Sequence, residues 1–182
     1  DALLTLAFEL IANNAEVEGI HPQNVVKVIK EIASAAGSQG MIGGQVIDLE
    51  SEGKSISYDT LKKLHSLKTG ELFRASLIAG AILGGMDDRG ISHLKKYAYH
   101  FGLAFQITDD ILDVKGDAVL IGKPVGSDEK NLKTTYPSLF GLDKSVALAE
   151  ENVAACLENL KDFGQEADFL RNLAKFTLHR NS

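Results

Sequence analysis

The sequence predicts an all-α protein. Helix-forming residues dominate, with no Trp and only three Pro among 182 residues. Apolar residues recur at three- and four-residue intervals, and no alternating run long enough for a strand stands out. One stretch, 105–113, carries three carboxylates inside an otherwise apolar segment (Phe105, Gln106, Ile107, Thr108, Asp109, Asp110, Ile111, Leu112, Asp113). On a helix, Gln106, Asp109, Asp110 and Asp113 stand at i, i+3, i+4 and i+7, one stripe on one face. Phe105 and Leu112 flank it on one side and Ile107 and Ile111 on the other.

Six helices are expected, over about 1–16, 23–50, 57–84, 92–114, 137–162 and 167–180. In the first, Leu3, Leu4, Ala7, Phe8 and Ile11 make an apolar face. Pro22 suits the first turn of the second. There Val25, Val28, Ile29 and Ile32 give way to a small-residue run of Ala36, Gly37, Gly40, Gly43 and Gly44. Glycine costs about 1 kcal/mol per helical position, so these residues serve close approach by a backbone or a ligand. Gln45 and Asp48 follow at i and i+3 as a second polar pair. The third helix has core positions at Leu61, Leu64 and Leu67, and Lys68-Thr69-Gly70 interrupts it as a kink. The acidic stripe ends the fourth. The segment 116–131 shows no periodicity and contains Gly122, Lys123 and Gly126, a composition suited to a lid over phosphate. Pro137 opens the fifth helix, anchored by Leu139, Leu142, Val146, Ala149 and Val153, and the sixth carries Phe169, Leu170, Leu173 and Phe176.

Composition narrows the function. The net charge of −6 argues against a general nucleic-acid binder. The longest nearly uncharged run, 75–86, is too short to span a bilayer, which needs about 20 residues. A single cysteine, Cys156, excludes an internal disulfide framework and fits a reducing compartment. The five histidines show no zinc-binding spacing, and no phosphate-binding loop, dinucleotide fingerprint or nucleophile elbow is present.

The acidic stripe has two readings. It suits the solvated end of a surface helix. It also suits the wall of a polar cavity in a bundle, where crowded carboxylates need a cation between them. Oxygen-only ligands favour a hard ion, Mg²⁺ before Zn²⁺.

Several separate stretches, taken in order, resemble the trans-isoprenyl diphosphate synthases, most closely the bacterial farnesyl diphosphate (geranyltranstransferase) type. They are Gly40 to Leu49, His65 to Gly70, Phe105 to Asp113, Gly122-Lys123 and Lys133 to Pro137. The resemblance implies a helical bundle of the isoprenoid synthase type, of which this chain forms part as a single domain over 1–182. It implies a Mg²⁺-dependent, cytoplasmic, homodimeric prenyltransferase. The reaction ionises an allylic diphosphate and alkylates isopentenyl diphosphate with the resulting cation, releasing diphosphate. Asp109 would hold Mg²⁺ with Asp110 and Asp113 in the same cluster. Lys68, Lys123 and Lys133 would contact the allylic diphosphate, and Thr69 and Gln106 would face the cation. Gln45 and Asp48 would line the cavity. Phe105 would wall the second substrate, and Arg180 would approach the isopentenyl diphosphate.

One departure qualifies the resemblance. The family carries two aspartate-rich motifs, and this sequence has one; Asp1-Ala2-Leu3-Leu4 resembles the stretch after the first. The expectation is therefore the C-terminal portion of a longer synthase, inactive alone. Farnesyl diphosphate is the expected product, with a geranylgeranyl diphosphate synthase, a class I terpene cyclase and a non-catalytic partner subunit as alternatives.

Overall fold

A computed structural model describes residues 2–115 and 133–180. Among the described residues there are nine α-helices and no strand: α1 (Ala2–Asn13), α2 (Pro22–Ala36), α3 (Met41–Ser51), α4 (Tyr58–His65), α5 (Glu71–Leu83), α6 (Asp88–Lys115), α7 (Tyr136–Phe140), α8 (Leu142–Asn159) and α9 (Asp168–His179). The all-α expectation holds. No described helix is long and apolar enough to cross a membrane.

The 28-residue α6 is the central strut. On one side Tyr97, Phe101 and Ala104 of α6 pack with Val28 of α2, Ile78 of α5, Val153 and Cys156 of α8 and Ala174 of α9. Tyr97 stacks on Phe101 at 5.8 Å and donates its hydroxyl to the Leu170 carbonyl at 2.8 Å, tying α6 to α9. Burial pushes the Cys156 thiol up to about 12, so this cysteine is a packing residue without thiolate character. Farther along, Leu103 and Ile107 pack with Leu61 of α4, Tyr136 of α7 and Ala149 of α8. Leu61 of this second cluster also lines the cleft described below.

The expected second helix is two helices. Gly37 to Gly40 turns the chain between α2 and α3, and a Cβ on Gly40 would lie 2.1 Å from the Ala35 carbonyl oxygen. The expected fifth helix is also divided. Thr135 and Ser138 form a reciprocal capping box for the short α7, and Gly141, at φ 77°, separates α7 from α8. The kink read at Lys68 to Gly70 is a π-helical turn over Ser66–Gly70, joining α4 to α5. Such turns insert an extra residue into a helix and recur at functional sites.

Two glycines seat that turn. A Cβ on Gly44 of α3 would lie 2.3 Å from the Lys68 backbone nitrogen, and one on Gly102 of α6 would lie 2.9 Å from the Gly70 Cα. Real Cβ atoms do not approach so closely, so only glycine at these positions lets α3 and α6 close on the turn from either side. Gly80 of α5 has the opposite setting: a Cβ there meets nothing within 4 Å. Gly80→Ala is therefore expected to stabilise the chain by about 0.5–1 kcal/mol, by reducing unfolded-state freedom at a helical position. Urea denaturation of the two proteins checks it.

Some residues of the predicted apolar faces are exposed. Leu3 is 82% exposed and Phe169 is 73% exposed, and Leu4, Leu10 and Phe176 are exposed as well. Ile11, Leu170 and Leu173 pack against the core as expected.

Candidate diphosphate site

A cleft of about 230 Å³ opens between α3, α4, the π turn, α6 and the segment leading into α7. Leu61, Leu64 and Ile56 give it an apolar floor, and Asp48, His65, Lys68, Gln106, Asp109, Asp110 and Lys133 give it charge and hydrogen-bonding capacity.

The basic wall is built on Asp48. Lys68 Nζ donates to Asp48 Oδ2 at 2.5 Å, and Lys133 Nζ donates to Asp48 Oδ1 at 3.2 Å. Burial raises the Asp48 pKa, but the hydrogen bond and charge of Lys68, then those of Lys133, outweigh it and hold the carboxyl below its ordinary value. Next to Lys68, the Thr69 hydroxyl donates to Gln106 Oε1 at 2.7 Å, joining the π turn to α6.

The acidic wall is built on α6. Asp109 lines the cleft with its side chain 38% exposed, and Arg180 Nη2 donates to its Oδ1 at 3.3 Å. Arg180 also donates to the Phe105 carbonyl at 3.1 Å and lays its guanidinium over the Phe105 ring at 4.0 Å. Burial lowers the Arg180 pKa, and Asp109 offsets part of that. Asp110 also lines the cleft and accepts from the Tyr136 backbone N–H at 2.9 Å, docking α7 onto α6.

The structure thus brings Asp48, Lys68, Gln106, Asp109, Asp110 and Lys133 to one cleft, with Thr69 and Arg180 joined to it through Gln106 and Asp109. Phe105 sits one turn back from Asp109, among Phe73, Phe101 and Arg180. Besides Thr69, Phe105 and Arg180, which border the cleft through their neighbours, Gln45 and Asp113 do not line it. Gln45 is exposed on α3, because the cleft-facing line of that helix runs Gly44, Asp48, Ser51 and Gln45 is rotated off it by about 100°. Asp113 is 5% exposed, a turn beyond the cleft. Among the described residues no three His, Cys, Asp or Glu side chains form a ready metal-binding group. Lys123 and the proposed lid over 116–131 lie outside the described residues.

His65 was not singled out by sequence reasoning, which weighed histidines only as zinc ligands. Its signal was its place three residues before Lys68 in the same stretch of sequence. It is buried against Tyr136, with ring centroids 5.6 Å apart, and its Nδ1 has no hydrogen-bond partner. Burial lowers its pKa to about 4, with the charges of Asp48 and Lys68 acting in opposite directions. A folded-state pKa below the unfolded value near 6.5 means that the unfolded chain binds this proton first. Stability is then held above pH 6.5 and lost as pH falls toward 4. Between pH 7 and pH 5 this histidine contributes about 2 kcal/mol of that loss. His65→Asn is expected to show a correspondingly shallower decline, read from unfolding free energies at the two pH values.

The sequence matches the family described as Polyprenyl synthetase over residues 1–174. It is 45% identical over 168 residues to a farnesyl diphosphate synthase of Geobacillus stearothermophilus, covering 92% of this chain and 55% of that protein. It is 40% identical to a geranylgeranyl diphosphate synthase of Cyanophora paradoxa, covering 100% of this chain and 60% of that one. The fold matches a geranyltransferase from Helicobacter pylori, solved in complex with magnesium and isoprenyl diphosphate. The TM-score is 0.77 at 32% identity, over 98% of this chain and 56% of that one. The chain thus spans somewhat over half the length of these relatives. With a match from the first residue to the last helix, and a helical bundle superposing on solved members, the chain belongs to the polyprenyl synthetase family.

Proposed function

We propose that this cleft binds the diphosphate of an allylic substrate and that the chain serves a trans-prenyltransferase. That enzyme joins dimethylallyl or geranyl diphosphate to isopentenyl diphosphate, with farnesyl diphosphate as product. The observation that carries the reading is the convergence of two lysines from separate elements with two carboxylates of α6 on one cleft. Lys68 and Lys133 bind and orient the diphosphate as point charges. Diphosphate leaves readily only when its developing charge is neutralised, which cations fixed in place supply.

Asp109 and Asp110 supply oxygen donors alone at the cleft, which fits Mg²⁺ by ligand chemistry. Bound there, Mg²⁺ would supply counter-charge to the departing diphosphate. Thr69 and Gln106 present neutral oxygens to an allylic cation, and the hydrogen bond between them fixes their orientation. Phe105 offers an apolar and π-rich wall, with Arg180 as the cationic group nearest the second substrate. The working form in this reading is a cytoplasmic homodimer. The exposed leucines of α1 support self-association, and the buried free cysteine suits a reducing compartment.

Calorimetric titration with geranyl diphosphate, with and without Mg²⁺, tests the reading, followed by product analysis with isopentenyl diphosphate. Among the described residues Asp109 and Asp110 are the only carboxylates of α6 that line the cleft, and Asp48 is taken up by two lysines, so the 182-residue chain by itself is expected to bind the diphosphate without turning it over. Elongation to farnesyl diphosphate by the complete enzyme supports the proposed activity. A cyclised hydrocarbon made without isopentenyl diphosphate, or no Mg²⁺-dependent binding, overturns it.

A further inference from the structure

We propose that Asp48 is a positioning residue for diphosphate capture, holding the Lys68 and Lys133 ammonium groups together as one paired cationic unit. The inference rests on the reading of the cleft as a diphosphate site.

The three residues come from three elements: α3, the π turn, and the segment preceding α7. Asp48 is buried, whereas the side chains of Lys68 and Lys133 are 35% and 30% exposed. Lys133 Nζ straddles the carboxylate, at 3.2 Å from Oδ1 and 3.3 Å from Oδ2, and Lys68 takes Oδ2. Gly44, one turn before Asp48 on the same face, sets the spacing, because its missing Cβ lets α3 reach the backbone of Lys68.

Lysine ammonium groups ride on flexible four-carbon stems and are strongly hydrated. Two of them in one half-exposed cleft repel each other and turn toward water. A carboxylate between them removes that repulsion and fixes both stems before a ligand arrives, so the ordering cost is met within the folded chain. One carboxylate against two ammonium groups still leaves a net positive charge facing the cleft. Each ammonium has three N–H donors, more than Asp48 takes up. A diphosphate can engage both cations at once; a single phosphate gains much less from the pairing. Gly44 and Asp48 thus explain how this face of α3 belongs to the site although Asp48 is itself an anion beside an anionic ligand.

The test is the affinity of the chain for inorganic diphosphate and for inorganic phosphate, both with Mg²⁺, in wild type, D48N and D48E. Wild type is expected to prefer diphosphate. D48N is expected to weaken diphosphate binding about tenfold, with phosphate binding unchanged or tighter, although the substitution makes the cleft more positive. D48E, which keeps the charge, is expected to retain most of the preference. Tighter or unchanged diphosphate binding by D48N overturns the proposal, since the carboxylate would then merely compete with the ligand. Equal weakening of both anions also overturns it, because that is the signature of a general structural defect. If wild type binds no diphosphate, the reading of the cleft falls as well; if it does and D48N is unaffected, only the role of Asp48 falls. Side-chain ammonium NMR of the ligand-free wild type decides the matter independently of whether D48N folds. Ordered Lys68 and Lys133 signals support the pairing, and signals as mobile as those of free surface lysines contradict it.

Discussion

Gly44→Ala is expected to destabilise the chain by about 2–3 kcal/mol and to abolish the shape of the cleft. The alanine Cβ would stand 2.3 Å from the Lys68 nitrogen and 2.6 Å from its Cα. These are backbone atoms, so no side-chain rotation relieves the clash, and the cost falls at the upper end for overpacking. Either α3 backs away or the π turn shifts, and both movements part Asp48 from Lys68. Urea unfolding reads the stability loss, and calorimetry with geranyl diphosphate and Mg²⁺ reads the loss of the site. Gly80→Ala, the same chemical change in open space, serves as the control that moves stability the other way.

Lys68→Ala is expected to weaken geranyl diphosphate binding about 10- to 100-fold, the worth of a charge-assisted hydrogen bond at a fixed position. Its effect on folding is expected to stay within about 1 kcal/mol. The lysine is one-third exposed, so solvent screens its ion pair with Asp48, and Lys133 remains to satisfy that carboxylate. A large loss of affinity with little loss of stability separates a binding residue from a structural one. Loss of both in proportion would place Lys68 among the packing residues of the π turn.

Much of this site was legible in the sequence because it obeys helical periodicity. Gln106, Asp109 and Asp110 fall on one stripe of α6 and do line the cleft. The interruption at Lys68 to Gly70 was readable from residue types that disfavour a regular helix, and the π turn stands there. Periodicity was less informative where tertiary contact sets the outcome. The glycines of 37–44 carry two jobs that composition does not distinguish: Gly40 turns the chain sharply, and Gly44 admits the π turn. A continuous helix was therefore expected where two stand. Taking Gln45 and Asp48 as a pair fixed their relative angle but not which of them faces inward; Gly44, by contacting Lys68, settles that in favour of Asp48. The link from Arg180 to Asp109 and to the face of Phe105 joins residues more than seventy positions apart, and no local pattern encodes it.

The most direct test is a crystal structure of the chain with Mg²⁺ and an unreactive thiolo analogue of geranyl diphosphate. The diphosphate is expected between Lys68 and Lys133, with a metal ion at Asp109 and the prenyl chain leading away past Gln106 and Thr69. A diphosphate bound instead on the open surface between α3 and α4, beside Lys54 and Lys63, with the Asp48 cleft empty, would contradict it.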